Sequence, residues 1–216
     1  PGYDDNALVG SLDIQHNLTI QGAGSGATIV DGNGSVIHDH VFQVLSSVQS
    51  MTFSGLTIRN GESVTRTMGV IGGGGLYMEG SGSLYLNDVI FESNIAQNGG
   101  GIYANFSNTG GAITMNNVVL HANRVIAGGV GAGGGMFAYL PSSSSQLVIQ
   151  NSTVYSNTAD GTGGGLFVDG TDTTQWNVQR TNIYSNTAAS GGGIGNFVPL
   201  TMSDSNIHNN SVTFDG

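Results

Sequence analysis

The chain has 216 residues, of which 37 are glycine and none cysteine or lysine, and its 14 acidic residues against four arginines give a formal net charge of −10. This length suits one domain with a sizeable core, the 38% hydrophobic content argues against disorder, and the shortage of basic residues argues against nucleic acid or an anionic membrane surface as partner. No run approaches the roughly 18 apolar residues of a membrane span, so no membrane insertion is expected, and the composition reads as that of a secreted or cell-surface protein.

Residues 1–17, PGYDDNALVGSLDIQHN, read as a lead-in or cap segment with one strand around Leu12 to Ile14, and residues 18–216 as a single domain. From Leu18 a degenerate repeat, LTIQGAGSGATIVDGNG, places Leu18 and Ile20 on one face and turns at Gly22; a strand is expected at Val41 to Val44. Between them His38-Asp39-His40 offers a metal pair on one strand face, although His-x-His without a third ligand is more often a surface turn.

From Met51 an ungapped unit of eleven residues occurs six times: MTFSGLTIRNG, LYLNDVIFESN, ITMNNVVLHAN, LVIQNSTVYSN, WNVQRTNIYSN and LTMSDSNIHNN, starting at Met51, Leu84, Ile113, Leu147, Trp176 and Leu200. Apolar residues fill positions one, three and eight, a short polar pair marks a bend at four and five, and the unit closes on Gly61, Asn94, Asn123, Asn157, Asn186 or Asn210. The closing residues are expected to take a positive φ, and the asparagines to stack as a structural amide ladder. Glycine runs each introduce a short apolar strand between copies: Gly72 to Met78, Gly99 to Ala104, Gly133 to Ala138, Gly163 to Val168 and Gly191 to Asn196. The loops after them, NFSNTGG and YLPSSSSQ, are expected on the outside.

Copies begin 33, 29, 34, 29 and 24 residues apart, the spacing of stacked repeats. Three short strands per repeat, with no room for a helix, predict an all-β fold: a right-handed parallel β-helix of about seven three-stranded coils. FESN at 91–94 and GGAI at 110–113, with the repeated GGG-apolar steps, resemble the FxxN and GGA(I/L/V) motifs of polymorphic outer-membrane adhesins and related bacterial β-helix surface proteins. The resemblance covers about Leu18 to Asn210 and implies an adhesin or structural surface module, not an enzyme.

The alternative is a polysaccharide-active enzyme, pectate-lyase-like or a glycosidase, acting on acidic glycans. Among Arg59, Arg66, Arg124 and Arg180, only Arg180 lies in a strand unit near an acidic row, Asp88 and Asp204 at position five, and no catalytic residue is assigned. Asp160, Asp169 and Asp172 form the densest later acidic group; they are weak calcium candidates, and no cofactor is otherwise expected. If Leu76, Ile102, Met136 and Leu166 face inward, their neighbours Tyr77, Tyr103, Phe137 and Phe167 face outward on consecutive coils, a candidate surface for glycan or protein. A second outward row at position nine, Arg59, Glu92, His121, Tyr155, Tyr184 and His208, looks mixed and solvated. The sequence ends soon after Asn210, without the polar cap that a solenoid normally carries, so a further expected partner is the chain itself, joined head to tail.

Overall fold

The computed structural model describes residues 10–64, 72–106, 110–171 and 173–213. They form an all-β solenoid of parallel strands in which each coil hydrogen-bonds to the next. The first sheet has seven rungs, Leu12–Ile14, Phe42–Val44, Leu76–Glu79, Ile102–Asn105, Met136–Leu140, Leu166–Gly170 and Ile194–Asn196. Its first rung lies within the segment read as a lead-in, paired with Phe42–Val44.

The eleven-residue units build the second sheet. Position one runs in register from Leu18 through Met51, Leu84, Ile113, Leu147 and Trp176 to Leu200, and position eight from Val30 through Ile58, Phe91, Leu120, Val154 and Ile183 to Ile207. These columns are buried from Met51 to Trp176 and from Ile58 to Ile183, as a period of two with one face inward demands. Glu62–Ser63, Ile95–Ala96, Arg124–Val125, Thr187–Ala188 and Ser211–Val212 form a short third face, which Thr158 bridges at its middle. The first coil departs from the pattern by two insertions, the loop 22–28 and the short helix Gly34–Ile37.

Position six also points inward, and its chemistry changes along the rod. Where it holds Leu56, Val89 or Val118 the strand runs unbroken through the bend. Where it holds Ser152, Thr181 or Ser205 the strand is cut in two. There the hydroxyl replaces a carbonyl as acceptor, taking the N–H of Val118, Ser152 and Thr181 from the preceding coil at 3.1, 3.4 and 3.1 Å.

The closing asparagines form the expected ladder, but not for the expected reason. Asn94, Asn123, Asn157 and Asn186 are fully buried. Each donates its Nδ2 both to a carbonyl of the previous coil and to the Oδ1 of the next asparagine, which also accepts its backbone N–H, all at 2.8–3.1 Å. Their backbone is not left-handed. The positive φ falls one residue earlier, at Asn60, Ser93, Ala122, Ser156, Ser185 and Asn209, and again at position five, at Gly55, Asp88, Asn117, Asn151, Arg180 and Asp204. Asparagine closes the unit because its amide saturates a buried corner with donors and an acceptor.

Ala122, exposed at φ 53°, has no side-chain group to offset the left-handed penalty of about 1–2 kcal/mol. Ala122→Asn is therefore expected to raise stability by about 0.5–1 kcal/mol, read as a higher urea midpoint at constant m-value.

The glycine runs complete the corner, and their three residues have three different reasons. The first, as at Gly163 with φ +69°, holds a left-handed turn. The second lies against backbone of two coils: a Cβ on Gly164 would stand 2.3 Å from the Gly192 carbonyl oxygen and 2.4 Å from that of Thr187. The third faces the ladder, since a Cβ on Gly101, Gly135 or Gly165 would come within 3.1–3.3 Å of the amide carbon of Asn123, Asn157 or Asn186. In the loop NFSNTGG, expected outside, Phe106 is instead fully buried in the main core, which it enters at the corner between the first and second sheets.

Candidate functional site

The predicted outward row on the first sheet exists as a stack but not as an exposed surface. Tyr77, Tyr103, Phe137 and Phe167 are in register and stacked face to face, with centroids 5.3, 5.0 and 5.2 Å apart. His40 stacks on Tyr77 at 5.0 Å, and Phe197 meets Phe167 edge-on at 5.7 Å; the sequence signalled neither end of the row. Tyr77, Tyr103 and Phe167 are buried and Phe137 is partly so. The segments leading into the glycine runs, bridged Gly72 to Asn98, Ala132 to Thr162 and Thr162 to Ser190, close over them. Gly72 lies so near that a Cβ there would come within 2.6 Å of the Tyr103 ring. The row is thus a second small core outside the solenoid wall, and its role as a glycan or protein surface is set aside.

Burial pushes the Tyr103 phenol above its ordinary pKa of 10.0; a hydrogen bond from Asn105 Nδ2 opposes the shift and the charge of Glu79 adds to it. Because the folded pKa is the higher one, the folded chain holds the proton longer. Stability is expected to fall as the pH rises above 10, the range in which an unfolded tyrosine ionises. Tyr103→Ala is expected to cost about 3 kcal/mol and to flatten that alkaline limb in urea titrations.

The position-nine row, read as mixed and solvated, carries the outward aromatic stack. His121, Tyr155, Tyr184 and His208 follow one another at 5.0, 5.2 and 5.1 Å with interplanar angles of 3–7°. His121, Tyr155 and Tyr184 are partly exposed and His208 exposed. The rings use their faces on each other, so solvent meets their edges and polar tips. Two residues earlier on the same face stand Thr153, Asn182 and Asn206, giving a strip of ring edges beside amides and a hydroxyl. Partial burial and the nearby charges of Tyr184 and Glu92 raise the Tyr155 pKa. Ahead of the rings the row alternates in charge: Asp31 and Arg59 pair at 2.8 Å, and Glu92 lies 3.8 Å from His121 Nε2.

The remaining polar candidates hold loops and bends. Arg180 donates its Nε to Asn151 Oδ1 at 2.7 Å; Asn151 donates to Asn116, and Asn116 to Asn87, so the arginine ends a surface amide chain. Asp88 accepts from the Ser25 backbone and hydroxyl and from Asn117. Asp160, weighed for calcium, gathers the N–H groups of Ala127, Gly129 and Gly131 at 2.6, 2.9 and 3.3 Å and pins that loop. Asp169 accepts from Gly170 N–H at 2.7 Å, while Asp172 and Arg66 lie outside the described residues.

The pair His38 and His40 does not converge. His38 Nδ1 bonds Glu62 at 3.1 Å, whereas His40 is buried with its Nδ1 at 3.0 Å from the Gly73 carbonyl. No group of three or more metal-ligating side chains occurs among the described residues. A cleft of about 330 Å³ beside the helix is lined by Asp31, Asn33, Asn60 and Glu62. Arg59, Asn60 and the Asn33 N–H hold Asp31 there, and the Asn33 N–H does most to lower its pKa. No family model, curated protein or solved structure matches the chain.

Proposed function

We propose that the chain is a non-enzymatic structural module of a bacterial cell surface, of the adhesin kind that its FESN and GGAI motifs resemble. Its contact strip is the position-nine row. The observation that carries this reading is the outward stack His121, Tyr155, Tyr184 and His208 beside Thr153, Asn182 and Asn206. Ring edges, phenol hydroxyls and amides at a fixed axial repeat form a comb of hydrogen-bonding groups on a rigid wall, suited to a glycan chain or an extended peptide of a neighbouring cell. The backbone beneath is locked by the asparagine ladder, so the comb needs no ordering on binding.

The test is adhesion of beads coated with the chain to cells and to immobilised glycans. Tyr155→Ser with Tyr184→Ser is expected to lower adhesion at least tenfold while the urea midpoint moves little. Unchanged adhesion would remove the strip from the argument.

The polysaccharide-active alternative has its best footing in the cleft carrying Asp31 and Glu62. Release of reducing or unsaturated sugar ends from acidic polysaccharides, abolished by Glu62→Gln, would favour it and overturn the structural reading.

A further inference from the structure

Two polar rows run along the outside of the second sheet, and they use their side chains differently. In the first, Asn87, Asn116, Asn151 and Arg180 bond to one another from coil to coil and so satisfy themselves. In the second, beside the rings, the Thr153 hydroxyl and the Asn182 amide stand in register but bond to no protein group among the described residues. The phenol hydroxyls of Tyr155 and Tyr184 are equally without a protein partner there. Each of these coils therefore presents one free ring tip and one free hydroxyl or amide, both able to donate and accept.

The spacing of these groups selects what lies on them. His121, Tyr155 and Tyr184, on successive coils, follow at 5.0 and 5.2 Å with interplanar angles of 3° and 7°, so the row is nearly straight and repeats at every coil. An extended peptide laid along it shows the same face only every roughly 6.5–7 Å, two residues at a time, and falls out of step after one coil. Built from staggered single bonds of about 1.5 Å, a pyranose chair linked through equatorial oxygens at carbons 1 and 4 advances its chain by roughly 5 Å per sugar. Such a chain stays in step with the rings, whereas an axial linkage at carbon 1 bends the chain away. Charge narrows the class further. The formal net charge is −10, and Arg59, the arginine of this row, is paired with Asp31 at 2.8 Å, so a polyuronate is repelled where a neutral chain is not.

We propose that the position-nine strip binds a neutral β-1,4-linked glycan lying along the rod, one sugar to each coil. The hydroxyl edge of each sugar meets a ring tip and its neighbour, Tyr155 with Thr153 on one coil and Tyr184 with Asn182 on the next. This names the ligand class of the contact strip and rests on the reading of that strip as the adhesive surface.

The test is calorimetric titration of the full chain with β-1,4-linked glucose and N-acetylglucosamine oligomers of two to four sugars. The α-1,4-linked glucose tetramer, a galacturonate tetramer and an extended tetrapeptide of serine and threonine serve as comparisons. At least one β-1,4 series is expected to gain affinity at least threefold for each sugar added, and its tetramer to bind at least tenfold tighter than any comparison. Tyr184→Phe keeps the ring stack and removes one hydroxyl; it is expected to weaken the tetramer at least fivefold while the urea midpoint stays in place. Equal binding of the α-linked tetramer, tighter binding of the galacturonate or the peptide, no gain with length, or an unaffected Tyr184→Phe variant would each overturn the assignment. If none of the oligomers binds while Tyr155→Ser with Tyr184→Ser still abolishes bead adhesion, the glycan assignment fails and the strip remains the adhesive surface. If bead adhesion is unchanged in that double variant, the strip itself fails.

Discussion

Asn123→Ala is expected to destabilise the chain by about 4 kcal/mol, out of the roughly 5–15 kcal/mol typical of a domain. The Asn123 side chain is fully buried and serves three neighbours. Its Oδ1 accepts the Asn94 N–H and Nδ2 at 3.1 and 3.0 Å, and its Nδ2 donates to the Phe91 carbonyl and to Asn157 Oδ1, both at 3.0 Å. Alanine leaves two donors of Asn94 and the Phe91 carbonyl without partners in a place water does not reach. Each such group costs about 1–3 kcal/mol, and the corner has no slack to turn them elsewhere. Asn116→Ala, in the surface amide chain, is expected to cost less than about 1 kcal/mol because water replaces the lost partner.

Asn123→Asp sharpens the test. A carboxylate keeps the acceptor but aims negative charge at the Phe91 carbonyl and at Asn157 Oδ1, so the folded state raises its pKa. Above the ordinary carboxylate range the unfolded chain gives up the proton more readily, and stability falls as pH rises. The aspartate variant is therefore expected to be least impaired at acid pH and worst at neutral pH, while the alanine variant shows no such slope. A midpoint shift for Asn123→Ala equivalent to less than about 1 kcal/mol, at unchanged m-value, would show that the ladder is ornamental.

The contrast between what could and could not be read in advance follows from which forces leave a periodic trace. Inward residues recur at fixed positions because water exclusion acts on every coil alike, so the columns through Leu84, Leu86 and Phe91 were legible, and with them the stacking of the asparagines. The bend at positions four and five was legible too, but the left-handed residue of the closing corner was expected at position eleven and lies at position ten. Gly55, Asn117 and Arg180 occupy the same backbone conformation, as do Ala122 and Ser156, so tertiary pairing overrides residue preference at those positions. Alternation gave the outward direction of Tyr103 correctly relative to the wall, but a period of two says nothing of a chain segment that later folds across it. Position nine looked mixed because its first two residues, Arg59 and Glu92, carry charge; the stack begins only at His121, and four rings in register were the signal available. Phe106 was missed because its loop reads as polar on both sides.

Gly164→Ala is the second change expected to have a large effect, about 3 kcal/mol or more. The loss comes from crowding, not from altered backbone freedom. The added methyl would stand 2.3 Å from the Gly192 carbonyl oxygen and 2.4 Å from that of Thr187, and both belong to backbone that pairs between coils. A side chain in the way can rotate, but here the third face must move away from the glycine run, which stretches the coil-to-coil bonds and pulls Asn186 off its partners. Overpacking of a yielding core costs about 1–3 kcal/mol, and an unyielding one lies at or above the top of that range.

Gly128→Ala supplies the control. Gly128 has a positive φ of 69° and open space around its absent Cβ, so alanine there meets only the left-handed penalty of about 1–2 kcal/mol. If crowding governs, the Gly164 variant is much the weaker in urea and its amide protection falls on the neighbouring coils as well. If the two variants lose equal stability, conformational preference alone accounts for the glycine runs. The close approach of three backbone segments at each corner would then have no energetic weight.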